Sequence, residues 1–318
     1  MERYSQQVRD EIMRNELSSC QRCIKAELSA ILHISGSIQL AGKEKLGLSV
    51  VTESAGVARR VIKLIKSSYN IESVTRVEQV ERLGKHNRYN VVIPPQNGLN
   101  EMIYDLGMMT RERLIDTSIR PELVKEKCCR ASYLRGAFLA GGSITDPHKK
   151  TYHLELVTHN EEFAAGLVYL MSLVNIKAKL AKRKEQYLVY LKDSEAIGKF
   201  LSTINAYQGV IKLEEVKVVK ELRAEVNRLV NCETANLEKT LSAAWKQVAI
   251  INRLKELNLF NNLSDSLKIT AELRLEYPEV SLKELGELHS PPISKSAVNH
   301  RLRLIVEFSK KYFDEAGN

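Results

Sequence analysis

Apolar residues set the rhythm of this chain. Val8, Ile12 and Leu17 recur at helical spacing within 1–19, which predicts an amphipathic helix there. A helix at 22–34, strands at 36–41 and 46–52 and a helix at 54–68 follow. Strands at 71–82 and 88–93 and a helix at 97–106 close that series. The YNVVI run before Pro94 and Pro95 reads as a strand end, since proline cannot extend a hydrogen-bonded ladder. A second series predicts a helix at 122–141, a strand at 152–158, a helix at 160–174, strands at 177–184 and 186–192, and a helix at 194–206. Between 210 and 277 there is neither glycine nor proline, and 212–230 and 235–257 are helical by propensity. Shorter helical pieces are expected at 264–277, 281–289 and 294–312.

The two series are copies. ELSAILHISGSI at 27–38 aligns with YLRGAFLAGGSI at 133–144 at an offset of 106, and the same offset pairs LGLSVVT at 46–52 with YHLELVT at 152–158. It also matches Cys23 to Cys129, Ala58 to Ala164 and Leu64 to Leu170. One offset recurring across separated segments points to internal duplication. LRGAFLAGGSI packs three glycines and two alanines into eleven residues while keeping Leu134, Ala137 and Phe138 at helical spacing. Glycine in a helix costs about 1 kcal/mol relative to alanine, so several of them suit a close approach of another backbone. The contact between the copies is therefore expected at Ala30, Gly36, Gly136, Ala140 and Gly142.

LRGAFLAGGS resembles the signature helix of LAGLIDADG homing endonucleases. The resemblance implies two αββαββα units with saddle-shaped antiparallel sheets, joined helix to helix at a pseudo-twofold axis. In that family each signature helix ends in an acid, and the two acids hold the divalent metals that cut DNA. Here Ser35 and Gly141 stand at those positions. A two-metal nuclease needs its carboxylates paired around the metals. Asp146 follows the second signature helix, but Leu40 is its counterpart, so no metal site and no catalytic residue is expected. Phosphate loops, dinucleotide-binding glycine patterns and nucleophile elbows are absent as well, and no cofactor or small-molecule substrate is indicated.

The net charge of +9 favours a polyanionic partner. With 44% hydrophobic and 27% charged residues, a charged N-terminus and no apolar run near membrane-spanning length, a soluble cytoplasmic protein is expected. Cys20, Cys23, Cys128 and Cys129 invite a zinc or redox reading, but Cys23 and Cys129 are repeat-equivalent and are read as small buried residues duplicated with the unit. His33, in the first signature helix, is read as a packed core residue.

Near the C-terminus, SLKELGELH at 281–289, a SPP turn and ISKSAVNHRLR at 293–303 describe two serine-capped helices in a helix-turn-helix. Val298, Leu302, Ile305 and Ser309 share the packed face. Ser294, Lys295, Ser296, Asn299, His300, Arg301 and Arg303 are left for phosphates and base edges of double-stranded DNA. From 291 to 313 there are five Lys or Arg residues against the single acid Glu307. A second basic stretch, KAKLAKRK at 177–184, supplies Lys177, Lys179, Lys182 and Arg183 on a strand suited to tracking phosphate, or to protecting a sheet edge from aggregation. Strand alternation separates Lys179 from Lys182.

A degenerate duplicated core followed by a helix-turn-helix resembles the WhiA family. The likeness rests on CxxCxKAEL, CCRxxYLRGAFLAGGS, NRxxNxxxAN at 227–236 and LKELGELxxPPISKSAVNHRLR, and covers nearly the whole chain. It implies a non-catalytic, sequence-specific DNA-binding regulator of cell division, chromosome segregation and sporulation. The family's helix-turn-helix resembles region four of sigma factors. The resemblance further suggests a nucleoid location and, as a protein partner, another transcription or cell-division regulator. The expected division of the chain is an N-terminal helix at 1–21, repeats at 22–120 and 121–209, a helical linker at 210–260 and the DNA-binding domain at 261–318.

Overall fold

The computed structural model describes residues 4–40, 45–80 and 86–313. Parts of the expected strands at 36–41 and 71–82, and the outermost residues of both termini, lie outside these. The described chain divides into two units, one up to Lys220 and one from Glu221 onward.

In the first unit α1 (Tyr4–Arg14) precedes α2 (Gln21–Ser35), β1 (Gly36–Leu40), β2 (Leu46–Thr52), α3 (Ala55–Tyr69), β3 (Val74–Val80), β4 (His86–Ile93) and α4 (Leu99–Asp105). The second copy runs α5 (Lys127–Gly141), β5 (Gly142–Ile144), β6 (Leu154–Thr158), α6 (Glu161–Ser172), β7 (Lys179–Arg183), β8 (Gln186–Leu191) and α7 (Ser194–Thr203). The two sheets are antiparallel throughout and have the same order, β1-β2-β4-β3 and β5-β6-β8-β7. The fold is thus the duplicated αββαββα arrangement.

The duplication extends to the turns. The Thr52 hydroxyl accepts from the Ser54 amide and the Ser54 hydroxyl from the Val57 amide, capping α3. At the equivalent positions Thr158 accepts from the Asn160 amide and Asn160 caps α6 through Phe163. Each cap satisfies an amide that the first helical turn leaves without a partner.

Two details differ from the sequence pattern. The helix expected from 122 starts at Lys127, after a 3-10 turn over Pro121–Val124. Arg130 closes the break by donating to the carbonyls of Val124 (2.9 Å) and Lys125 (2.8 Å). The short strand β5, only three residues long, has no pattern to read; it is fixed by pairing Ser143 with Glu155.

Burial alternates along the second sheet. Leu154, Leu156, Val189 and Leu191 face the helices with at most 2% exposure, while Glu155, Val157 and Tyr190 lie on the half-exposed opposite face. The core beneath both sheets is one continuous cluster that also takes in Tyr4, Val8 and Ile12 of α1.

The helix α8 (Tyr207–Glu256) is 50 residues long and crosses the boundary between the units. Its start is anchored in the first unit by buried Leu213 and Val216, whereas Leu222, Val226, Leu229 and Val230 are exposed. Its end belongs to the core of the second unit: Ile251 and Leu254 are fully buried with Leu263, Ala271, Leu285, Val298, Leu302 and Ile305. The core of the second unit therefore begins before 261, inside α8. Uniform helical propensity hides the boundary, because the chain changes units without breaking the helix.

The rest of that unit is α9 (Asp265–Glu276), α10 (Leu282–Glu287) and α11 (Lys295–Phe313). A capping box between Ser281 and Glu284 starts α10. Gly286 lets the returning chain pass close over α10, where the Ile293 amide donates to the Gly286 carbonyl (3.0 Å); a Cβ there would strike the Ile293 carbonyl.

Candidate nucleic-acid interface

The α2–α5 pair is the seam between the copies. From its N-terminal end it brings Cys23 Sγ to 3.8 Å from Cys129 Sγ, and then Glu27 against Arg135. Further along, Gly136 lies against Glu27 and Ala30, and Gly141 against Ile34. A Cβ on Gly136 would collide with the Glu27 carbonyl oxygen and lie 3.1 Å from the Ala30 Cβ, so the glycine permits the contact. Gly36 and Gly142 are expected here too from the sequence, but both are C-caps whose added Cβ would meet their own helix, at Leu32 and Phe138. Ala140 is half-buried at the rim of a groove. Burial pushes the Cys23 thiol up to about 12 and also raises that of Cys129.

At the far end of the seam stand the two positions that are acidic in homing endonucleases. The Ser35 hydroxyl turns back to the Ile31 carbonyl of its own helix (2.9 Å). Gly141 is wedged against the Val157 carbonyl and Ile34. Immediately beyond it, Arg9 of α1 donates to the Gly142 carbonyl, with its guanidinium over the Phe138 ring. Burial lowers the Arg9 pKa from its usual value, with Glu53 and Asp10 acting against that shift. The end of the seam therefore carries a fixed cation beside one neutral position and offers no carboxylate at the other.

In the second unit α11 has two faces. Val298, Leu302, Ile305 and Ser309 are buried, and Lys295, Ser296, Asn299, His300 and Arg303 are exposed. Spacings of four and eight residues put Lys295, Asn299 and Arg303 along one stripe. Arg303 pairs with Glu307 at 3.2 Å in the open, an i,i+4 contact worth only about 0.3–0.5 kcal/mol and easily exchanged for a phosphate. Ser294 does a structural job, its hydroxyl accepting from the Ala297 amide as the helix cap (3.2 Å). Arg301 is half-buried and turned toward α9, with long contacts to the Ser266 carbonyl (3.5 Å) and Thr270 hydroxyl (3.4 Å).

The basic strand is β7, the exposed edge of its sheet. Register places Lys179 opposite Tyr190 and Lys182 opposite Tyr187. Lys179 and Arg183 therefore belong to the face turned away from the helices. Lys182 lies on the helix side, its ammonium 5.2 Å from the centre of the Tyr187 ring. Lys177 precedes the strand in an exposed, irregular position.

One basic surface has no sequence signal. A groove of about 1070 Å³ is lined by Arg9, Arg14, Arg59, Lys63 and Arg88, with Asp10, Glu16 and Glu53 also on its wall. The five cations come from α1, α3 and β4, so only the fold gathers them.

A duplicated LAGLIDADG-like core without the acids, followed by a helix-turn-helix unit, is the class of protein that the fold and site define. Three family descriptions match the chain: WhiA N-terminal LAGLIDADG-like domain over 21–109, WhiA LAGLIDADG-like domain over 130–223, and WhiA C-terminal HTH domain over 226–309. A relative in Alkaliphilus metalliredigens, named "Probable cell division protein WhiA", is 43% identical over 312 residues, covering 97% of this chain and 98% of the relative. A protein of the same name in Heliobacterium modesticaldum is 40% identical over 315 residues, covering 99% and 98%. The chain belongs to the WhiA family. The crystal structure of full-length DUF199/WhiA from Thermatoga maritima has the same fold, with a TM-score of 0.60 at 22% identity over 98% of this chain and 99% of that one. Among the described residues no helix is long and apolar enough to cross a membrane.

Proposed function

We propose that the chain is a sequence-specific DNA-binding regulator without nuclease activity, and that its helix-turn-helix unit reads the sequence. The observation that carries this reading is the stripe of Lys295, Ser296, Asn299, His300 and Arg303 on α11, exposed along the side opposite a fully buried Val298–Leu302–Ile305 face. An exposed helix of this kind fits a major groove, where Asn suits adenine and Lys or Arg suits guanine or phosphate. Ser35, Gly141 and Arg9 oppose metal-dependent cleavage, since none can replace a bridging carboxylate. The names of the relatives support a role in cell division; control of chromosome segregation and sporulation, and a place on the nucleoid, extend that reading. Lys177, Lys179 and Arg183 on the first unit are assigned to backbone contacts.

The test is binding of the full chain to target and scrambled duplexes. Asn299→Ala is expected to reduce discrimination by about 1–3 kcal/mol, the range for one bidentate base contact. Equal weakening on both duplexes would show that α11 holds DNA without reading it. Nicking of plasmid in Mg²⁺ or Mn²⁺ that persists through purification and is lost in Asp146→Asn would contradict the non-catalytic assignment, since the cleavage would then belong to this chain.

A further inference from the structure

Three cysteine sulfurs gather where α2 and α5 begin, with exposed Cys128 next to them in the chain. Cys20 is the residue before α2, Cys23 lies in its first turn, and Cys128 and Cys129 lie in the first turn of α5. The Sγ atoms of Cys20, Cys23 and Cys129 are all within 4.8 Å of one another, and Cys23 and Cys129 are 3.8 Å apart. Four sulfurs around a zinc ion at about 2.3 Å have tetrahedral edges of about 3.8 Å, so the closest pair already has the separation of such a site. The distance is far too long for a disulfide, whose sulfurs are about 2.05 Å apart.

Duplication explains Cys23 and Cys129, which are partners at the offset of 106. It does not explain the other two. The repeat equivalent of Cys20 is Glu126, and that of Cys128 is Arg22. Each copy has therefore added one cysteine at a different place, and both additions fall beside the shared pair. Packing requires a small apolar residue at 23 and 129; it does not require further thiols around them.

We propose that Cys20, Cys23 and Cys129 bind one soft divalent cation, zinc by the chemistry of the donor set, with Cys128 completing a tetrahedral thiolate site. Sulfur donors select Zn²⁺ over the hard cations that a nuclease uses. The ion would join the first copy to the second across more than a hundred residues of chain. It lies at the end of the seam opposite Ser35 and Gly141, and so is unrelated to the cleavage centre of the homing endonucleases.

The experiment uses the full chain, purified with a phosphine reductant and no chelator. Elemental analysis is expected to give one zinc per chain. Co²⁺ added to metal-free protein should give the visible bands of tetrahedral cobalt thiolate, saturating at one equivalent. Chelation should lower the melting temperature of the unmodified protein. Cys20→Ser, Cys23→Ser and Cys129→Ser should each abolish the stoichiometric cobalt spectrum, and exposed Cys232→Ser, on α8, should leave it unchanged. Cys128→Ser should shift the bands; an unshifted spectrum would remove Cys128 as the fourth ligand. The cobalt titration of the unmodified chain is decisive if a serine variant fails to fold. A reduced chain with five free thiols that takes up neither Zn²⁺ nor Co²⁺ overturns the site, as does a cobalt spectrum that survives Cys23→Ser.

Discussion

Glu27 shows how much of the seam rests on single charges. Its carboxylate is 2% exposed and lies between two buried guanidiniums. Arg60 of α3 reaches both its oxygens, and Arg135 of α5 donates to Oε2 at 2.9 Å. Arg60 also donates to the carbonyls of Ile12 (3.1 Å) and Asn15 (2.9 Å), so one acid ties α1, α2, α3 and the second copy together. Removing the acid leaves two buried cations unpaired. Glu27→Ala should therefore cost about 3–5 kcal/mol in chemical denaturation. A loss below about 1 kcal/mol would mean that water replaces the carboxylate. His33 makes a different prediction. Its ring stacks on Phe163, and its nitrogens face the carbonyls of Ser29 (2.8 Å) and Gly107 (3.1 Å). Burial lowers its pKa below the ordinary value, outweighing those two carbonyls. The unfolded chain then binds the proton more readily, so this contribution to stability is complete above about pH 6.5 and is lost as pH falls below it. Melting curves from pH 8 to pH 5 should show that loss, and His33→Asn should flatten it. His33, expected in the core, is half-buried against Phe163 at its margin, and the partners of Glu27 are illegible in the sequence: a helix pattern reveals which face is buried, not which charges meet on it.

Among the elements, glycine separates what a helix needs from what a seam needs. Gly136 and Gly198 are both helical and buried. A Cβ on Gly136 would strike the Glu27 backbone, which cannot move cheaply, whereas one on Gly198 would find Glu214 and Leu213 at 3.7 and 3.8 Å, ordinary contact. Gly136→Ala should therefore destabilise by about 1–3 kcal/mol through overpacking. Gly198→Ala should stabilise by about 0.5–1 kcal/mol through the lower entropy cost of alanine. Opposite signs from the same substitution are what the two sites demand; a stabilised Gly136→Ala would disprove the close seam. Most elements are legible because their apolar period is clear and the offset of 106 lets each copy check the other. Strand β5 and the break before α5 escape notice because three residues carry no period and because Pro121 merges into a helical run. Composition alone puts Gly142 in the seam, where its neighbour Gly141 stands instead.

At the scale of the molecule, the net charge of +9 must be divided between surfaces that read DNA and surfaces that only hold it. Side chains that track phosphate release counterions, and each phosphate no longer neutralised flattens the dependence of log affinity on log salt by about 0.9. The strand β7 allows an internally controlled test, because strand alternation has sorted its cations. Lys179 and Arg183 share the face turned from the helices, and Lys182 is held against Tyr187 on the other. Replacing Lys179 and Arg183 together with alanine should weaken target and scrambled duplexes alike and reduce the salt slope by up to about two units. Lys182→Ala should change the slope little, although it removes the same charge from the same strand. The measurement is anisotropy on both duplexes at several salt concentrations, with Arg303→Ala of α11 alongside. If the Lys179 and Arg183 variant loses selectivity while the α11 variant weakens both duplexes equally, the roles are exchanged and the first unit is the reader. If Lys182→Ala flattens the slope as strongly as the other pair, then DNA does not lie along the face turned from the helices, and the basic groove of Arg9, Arg14, Arg59, Lys63 and Arg88 becomes the surface to substitute next.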